Sequence, residues 1–148
     1  MAGLETAMGR ALFAVLFIFI VASPARAEVR ILASPGGAVG PYIELFSVLR
    51  QSGQRVVIDG PCFSACTLVL STIPNNRICV TPRAVLGFHS PRWIDRQGRQ
   101  YPAAAETRLF AATYPAPVRA WIDRHGGLKS KPIFLRGREL AAMFPRCS

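Results

Sequence analysis

Apolar positions change their spacing several times along the chain, and each change marks an element. Leu12 to Ala22 is an unbroken apolar run. After it, Glu28 to Ala33 alternates, with Val29, Ile31 and Ala33 on one side, which predicts a short strand. Ser34-Pro35-Gly36-Gly37 is a turn signal. From Pro41, the residues Ile43, Leu45, Phe46, Val48 and Leu49 fall at helical spacing as far as Arg50, and Gly53 closes the helix. Arg55 to Asp59 reads as a second, apolar strand broken by Gly60-Pro61, and Ser64 to Ser71 has the length of a short buried helix. Beyond the turn Pro74-Asn75-Asn76, Arg77–Val80 and Ala84–Phe88 predict two short strands, and Asp95–Gln100 a polar loop around Gly98. Ala103–Thr113, Pro117–His125 and Arg138–Phe144 predict helices, the second ended by Gly126-Gly127. Strands alternating with helices predict an α/β domain with a largely parallel, buried sheet.

The first apolar run belongs to a different category. It is shorter than the roughly 20 residues a spanning helix needs, follows Arg10, and leads into Ser23-Pro24-Ala25-Arg26-Ala27, where Ala25 and Ala27 have the small-x-small form of a cleavage site. Residues 1–27 therefore read as a secretory signal peptide and residues 28–148 as one domain, with an uncleaved N-terminal membrane anchor as the alternative. Removing 27 of the 148 residues leaves 121. The expected location is the bacterial periplasm.

Composition changes the picture in two ways. A hydrophobic share of 51% excludes a disordered chain. Lys and Arg number 18 against 8 Asp and Glu, for a net charge of +10, and all the cations but Lys129 and Lys131 are arginines. The leader holds Arg10, Arg26 and Glu5, so the remaining domain carries +9. Arg92, Arg96 and Arg99 crowd one loop, and Arg119, Arg124, Lys129, Lys131, Arg136 and Arg138 the C-terminal third. Stacking aromatics and a nucleic-acid motif are absent, so nucleic acid is not the expected partner. A solvated basic surface, next to an anionic membrane, is the expectation.

Candidate chemistry lies at two glycine turns and one strand end. Ser34-Pro35-Gly36-Gly37 and Gly60-Pro61-Cys62-Phe63-Ser64-Ala65-Cys66 each join a strand to a helix. A serine there has its hydroxyl near free helix N–H groups, although its commonest role is simply to cap the helix. His89 ends an apolar strand, where a structural role is also ordinary, and His125 beside a helix end reads as structural. Combined, these parts are specific. A serine nucleophile needs a base and two donors aimed at the oxyanion. Ser64, His89 and the N–H groups of Gly37 and Ala65 supply that set.

These motifs resemble those of the proteolytic subunit of the Clp protease and, more broadly, of the ClpP/crotonase superfamily. Ser34-Pro35-Gly36-Gly37 matches the family's oxyanion turn. Gly60 followed by Ser64 matches its Gly-x-x-x-Ser nucleophile turn, and Phe88-His89-Ser90-Pro91 its histidine segment, 25 residues after the serine. Asn76-Arg77-Ile78-Cys79-Val80-Thr81-Pro82 resembles the linking turn, strand and proline. The resemblance covers about residues 29 to 92. It implies a minimal single domain of the ClpP/crotonase-like repeated ββα spiral and an exported serine hydrolase, peptidase-like, with a peptide or protein as substrate and with no cofactor and no metal. The family's third catalytic residue, an aspartate, aligns near Pro132, where no carboxylate stands. Asp123 is the substitute candidate. The chain is shorter than the family norm and lacks its early strands and much of its helical handle, so a homo-oligomer stays open and a closed chamber is not implied. The rival reading is a non-catalytic envelope protein of the same fold that binds peptide or protein partners. Acyl-CoA chemistry is a third class, disfavoured outside the cytoplasm.

Cys62, Cys66, Cys79 and Cys147 complete the reading. An even number in an exported chain predicts disulfides, and the spacing is not that of a zinc site. Three pairings exist and spacing does not choose among them. Cys62 and Cys66 bracket Ser64, and one reading is that a disulfide braces the serine turn of a small exported domain. Cys66 with Cys79 would tie the helix to the next strand, and Cys62 with Cys147 would tie down the tail. Four unpaired cysteines in an apolar core are the alternative.

Overall fold

A computed structural model describes residues 27–147; the proposed leader, apart from its last residue Ala27, lies outside the described residues. The chain is mixed α/β. Strand β1 (Glu28–Ile31) places Val29 and Ile31 against the core. Helix α1 (Val39–Ser52) follows, buries Phe46 and Leu49, and ends on Gly53 in the left-handed conformation. Strand β2 (Arg55–Ile58) pairs in parallel with β1 and with β4 (Ile78–Val80). As the middle strand it has Val56, Val57 and Ile58 fully buried, which is why it reads as a continuous apolar run rather than an alternating one.

A second sheet carries the strand-to-helix turn. Strand β3 (Pro61–Phe63) leads into a 3₁₀ turn (Ser64–Leu68) and helix α2 (Val69–Thr72). It pairs in parallel with β5 (Val85–Phe88), and β5 pairs antiparallel with β8 (Ile133–Arg136). Between β5 and β8 come an exposed antiparallel hairpin, β6 (Arg92–Ile94) and β7 (Gln100–Pro102), then helices α3 (Ala104–Thr113) and α4 (Ala116–Arg124). Helix α5 (Gly137–Ala141) follows β8. Val118, Trp121 and Ile122 of α4 pack into the core, with Phe88 edge-on to Tyr114 at 5.2 Å and 6.1 Å from Trp121.

The structure adds a strand and changes two expectations. The stretch before the last helix, not assigned from sequence, is a strand, β8, bounded by Pro132 and Gly137, with Leu135 buried in the β5 sheet. Beside the three parallel pairings, β5–β8 and β6–β7 are antiparallel. The polar loop at Asp95–Gln100 is the tip of a hairpin, its turn held by Arg99 N–H and Gln97 N–H on the Asp95 carboxylate. The short buried helix begins as a tight 3₁₀ turn.

The cysteines form two disulfides, Cys62–Cys66 and Cys79–Cys147, and none is free among the described residues. The brace across Ser64 is present. The pairing of Cys66 with Cys79 and of Cys62 with Cys147 is not: Cys62 lies in the β3 sheet and Cys79 in the β1–β2–β4 sheet. The C-terminal tail runs parallel to β4, with Val80 N–H on Pro145 O at 2.9 Å and Cys147 N–H on Val80 O at 3.1 Å, which sets Cys147 beside Cys79. Two disulfides fit an oxidising compartment. No helix among the described residues is long and apolar enough to cross a membrane.

At the end of β2, buried Asp59 joins the ends of three strands. It accepts from Arg83 and Thr81 after β4 and from Arg30 on β1. Arg83, then Thr81 and Arg30, hold its carboxyl well below the usual carboxylate range, against the opposing effect of burial. The unfolded chain therefore binds this proton first as pH falls, so the stabilisation is complete above about pH 4 and declines below it. Thermal melts are expected to show wild-type Tm falling below that pH. Asp59→Asn is expected to melt lower at pH 7 and to lose part of the acid-dependent decline; an unchanged pH profile would contradict this role.

Candidate active site

The serine turn is locally strained. Ser64 has φ of 54°, and among the described residues it is the one non-glycine residue with positive φ. A side chain in the left-handed region costs roughly 1 kcal/mol or more, so other contacts must hold it there. The Cys62–Cys66 disulfide spans it, with Cα atoms 5.3 Å apart. The Thr67 hydroxyl donates to Ser64 O at 2.7 Å, and the Tyr114 hydroxyl lies 2.7 Å from the same Thr67 oxygen. Thr67 has one proton and spends it on Ser64 O, so Tyr114 is the donor to Thr67. Burial pushes the Tyr114 phenol up to about 12, with the Thr67 hydrogen bond opposing, and so keeps that proton in place.

Ser64 does not cap. The N-cap position of the 3₁₀ turn is Phe63, and no side chain caps it. Among the described residues the Ser64 hydroxyl has no hydrogen-bond partner, and Ser64 lines a cleft of about 470 Å³ together with Gly37, His89, Arg92 and Ile94. An adjoining recess of about 30 Å³ shares Ser64 and His89 and reaches Ala65, Leu68 and Phe110.

The glycine turn lies directly against this serine. Ser34 N–H donates to Pro61 O at 2.8 Å and Phe63 N–H to Ser34 O at 2.9 Å, so residue 34 sits beside β3 as a short strand extension. Gly36 follows with φ of 84°. A Cβ there would lie 2.5 Å from both Phe63 O and Ser64 Cβ, so only glycine fits. Gly37 comes next and lines the cleft. Among the described residues neither Gly37 N–H nor Ala65 N–H has an acceptor within the chain, Ala65 because it lies in the first turn of its helix.

His89 reaches the same cleft through strand register. β3 and β5 are parallel neighbours with Phe63 opposite Gly87, so Ser64 and His89 both lie just beyond the C-terminal ends of adjacent strands. His89 Nδ1 is 2.8 Å from Ser90 O, which makes it the donor and leaves Nε2 as the acceptor. Ser90 N–H is in turn tied to Lys129 O at 2.8 Å. No hydrogen bond joins Ser64 to His89.

Asp123 is not brought to this site. It lies exposed on α4 with no side-chain hydrogen bond among the described residues, and it does not line the cleft. The nitrogen that an orienting acid would hold is on the Ser90 carbonyl instead. His125 stacks on Trp121, with ring centroids 4.0 Å apart, away from the cleft.

Sequence reasoning missed four contributors: Gly36, Thr67, Tyr114 and the Ser90 carbonyl. The doubled glycine and the position of Thr67 three residues after Ser64 were the available signals. Tyr114, 47 residues from Thr67, left none. Comparison with protein-family models and with curated proteins finds no match for this chain.

Proposed function

We propose that the chain is an exported, periplasmic serine hydrolase, peptidase-like, built as a minimal member of the ClpP/crotonase superfamily. Ser64 Oγ attacks the acyl carbon of a peptide or ester, and His89 Nε2 takes its proton. Gly37 and Ala65 N–H groups receive the oxyanion. His89 then protonates the leaving group, and a water deprotonated by His89 attacks the acyl-enzyme, so that the acid leaves and the proton returns to Ser64 Oγ. The carrying observation is Ser64 itself, held in a strained conformation with its hydroxyl unclaimed beside two unclaimed N–H groups. Strain of this kind persists only where surrounding contacts impose it, and it concentrates at functional sites.

The Ser90 carbonyl orients the imidazole but carries no full charge to stabilise the imidazolium. Replacing the orienting acid of a triad can cost about 10⁴ in kcat, so slow turnover is the expectation. The second reading, a peptide-binding domain without catalysis, draws on the missing Ser64–His89 hydrogen bond and on the lack, among the described residues, of a carboxylate at the cleft or on His89 Nδ1.

The test is a fluorophosphonate probe on purified, oxidised protein, with mass spectrometry of the adduct. Labelling at Ser64 is expected. A folded protein that takes no label overturns the hydrolase reading and leaves the binding one.

A further inference from the structure

Among the described residues that line the cleft beside Ser64, Arg92 is the one Lys, Arg, Asp or Glu. Strand residues two apart share a face, so Arg92 and Ile94 of β6 face the cleft together while Trp93 points the other way. Arg92 is tethered by neutral groups only: Nη1 donates to Gln100 Oε1 at 2.6 Å and Nη2 to Ser130 O at 3.3 Å. No carboxylate among the described residues pairs with it; the nearby Asp95 is taken by Arg99 at 2.7 Å. A guanidinium has five N–H donors, so three stay free on an exposed group that is anchored through Nη1 and Nη2. Ile94, 65% exposed, adds an apolar contact next to it. An oriented, uncompensated guanidinium with spare donors matches a planar carboxylate.

We infer that the cleft selects a peptide carrying a carboxylate next to the segment held at Ser64, and that Arg92 is the residue that selects it. This rests on the cleft being the substrate site proposed above. The carboxylate is either an Asp or Glu side chain or the C-terminus of the peptide, and the two are separable by experiment.

Binding is measured by fluorescence anisotropy on Ser64→Ala protein, so that no turnover intervenes. The probes are three short dye-labelled peptides of one sequence: an internal Glu with an amidated end, an internal Gln with a free C-terminus, and an internal Gln with an amidated end. One carboxylate-bearing peptide is expected to bind at least about tenfold more tightly than the neutral one, with the margin shrinking at high salt. Its identity names the source. In the Ser64→Ala/Arg92→Gln protein the margin is expected to vanish, and in Ser64→Ala/Arg92→Lys to return in part. Equal affinity for all three peptides overturns the inference, and so does a margin that survives Arg92→Gln. Fluorophosphonate labelling of wild-type protein is scored separately. Arg92-dependent binding without labelling removes the hydrolase reading and keeps this one; labelling with no carboxylate preference does the reverse.

Discussion

Replacing Ser64 by glycine is expected to abolish the proposed labelling and hydrolysis while leaving the fold at least as stable as the wild type. The two halves of that result have different causes. The hydroxyl is the proposed nucleophile, so its removal lowers kcat by on the order of 10³ or more, and Ser64→Ala does the same. Stability moves the other way for glycine alone. Ser64 sits at φ of 54°, a conformation glycine adopts without penalty, and relief of that strain is worth roughly 1 kcal/mol. The greater freedom of glycine in the unfolded chain opposes this by about 0.4–1 kcal/mol, so Tm is expected to stay level or rise by a few degrees. The contacts that hold the turn use the Ser64 carbonyl and the flanking disulfide, and glycine keeps both. His89→Ala falls as far as Ser64→Ala, and the double variant falls no further, since nucleophile and base act as one unit. Thermal melts, labelling stoichiometry and ester hydrolysis on the same preparations check all of this. A Ser64→Gly protein that unfolds at much lower temperature would mean that the hydroxyl is structural. Activity that survives the change would remove Ser64 from the chemistry.

This expected trade of stability for chemistry explains which parts of the site can be read from residue order. Ser64 and His89 are legible because each ends a segment whose pattern is local. The turn before Ser64 is marked by Gly60-Pro61, and the apolar run before His89 is continuous. Parallel pairing of β3 with β5 then aligns the two ends without further information. The groups that support them are not local. Tyr114 arrives from the end of α3 to reach Thr67, and a buried tyrosine before a proline has no pattern that names its partner. Asp123 illustrates the opposite failure. Proximity in sequence to a helix of the right region made it a candidate acid, but the buried face of α4 is Val118, Trp121 and Ile122, which turns Asp123 to solvent.

The fold divides in the same way. β2 and α1 follow from spacing, since an apolar run and an i, i+3, i+4 stripe are visible over a few residues. β3 has three residues, one of them proline, and is a strand only because β5 and the Ser34 bridge hold it on either side. β8 is antiparallel, and its four residues carry no sign of direction. The pairing of the cysteines depends on which sheet each strand joins, so it could not precede the topology.

Removing the Cys79–Cys147 disulfide, by changing both residues to alanine, is expected to cost about 4 kcal/mol and to lower Tm on the order of 15 °C. The loop it closes spans 68 residues, and loop-closure entropy rises with the logarithm of loop length. The same arithmetic gives about 2 kcal/mol for Cys62–Cys66, whose separation is 4. The consequences for the site are ordered the other way. Cys79 and Cys147 fasten the tail to β4, in the sheet that does not carry Ser64. Their loss is expected to lower the melting temperature and to leave labelling below that temperature largely intact. Cys62 and Cys66 flank the strained residue directly, and without them the Thr67 hydrogen bond to Ser64 O and the close packing of the Gly36 turn remain to hold Ser64 in the left-handed region. The Cys62→Ala/Cys66→Ala protein is therefore expected to lose a larger share of its labelling rate than of its stability. Calorimetry and labelling kinetics on the two double variants separate these effects. A Cys79/Cys147 variant that melts with the wild type would show that the tail adds no constraint to the unfolded chain. A Cys62/Cys66 variant that labels at the wild-type rate would show that the carbonyl and glycine contacts suffice to impose the strain, and would reduce the disulfide beside the nucleophile to an ordinary staple.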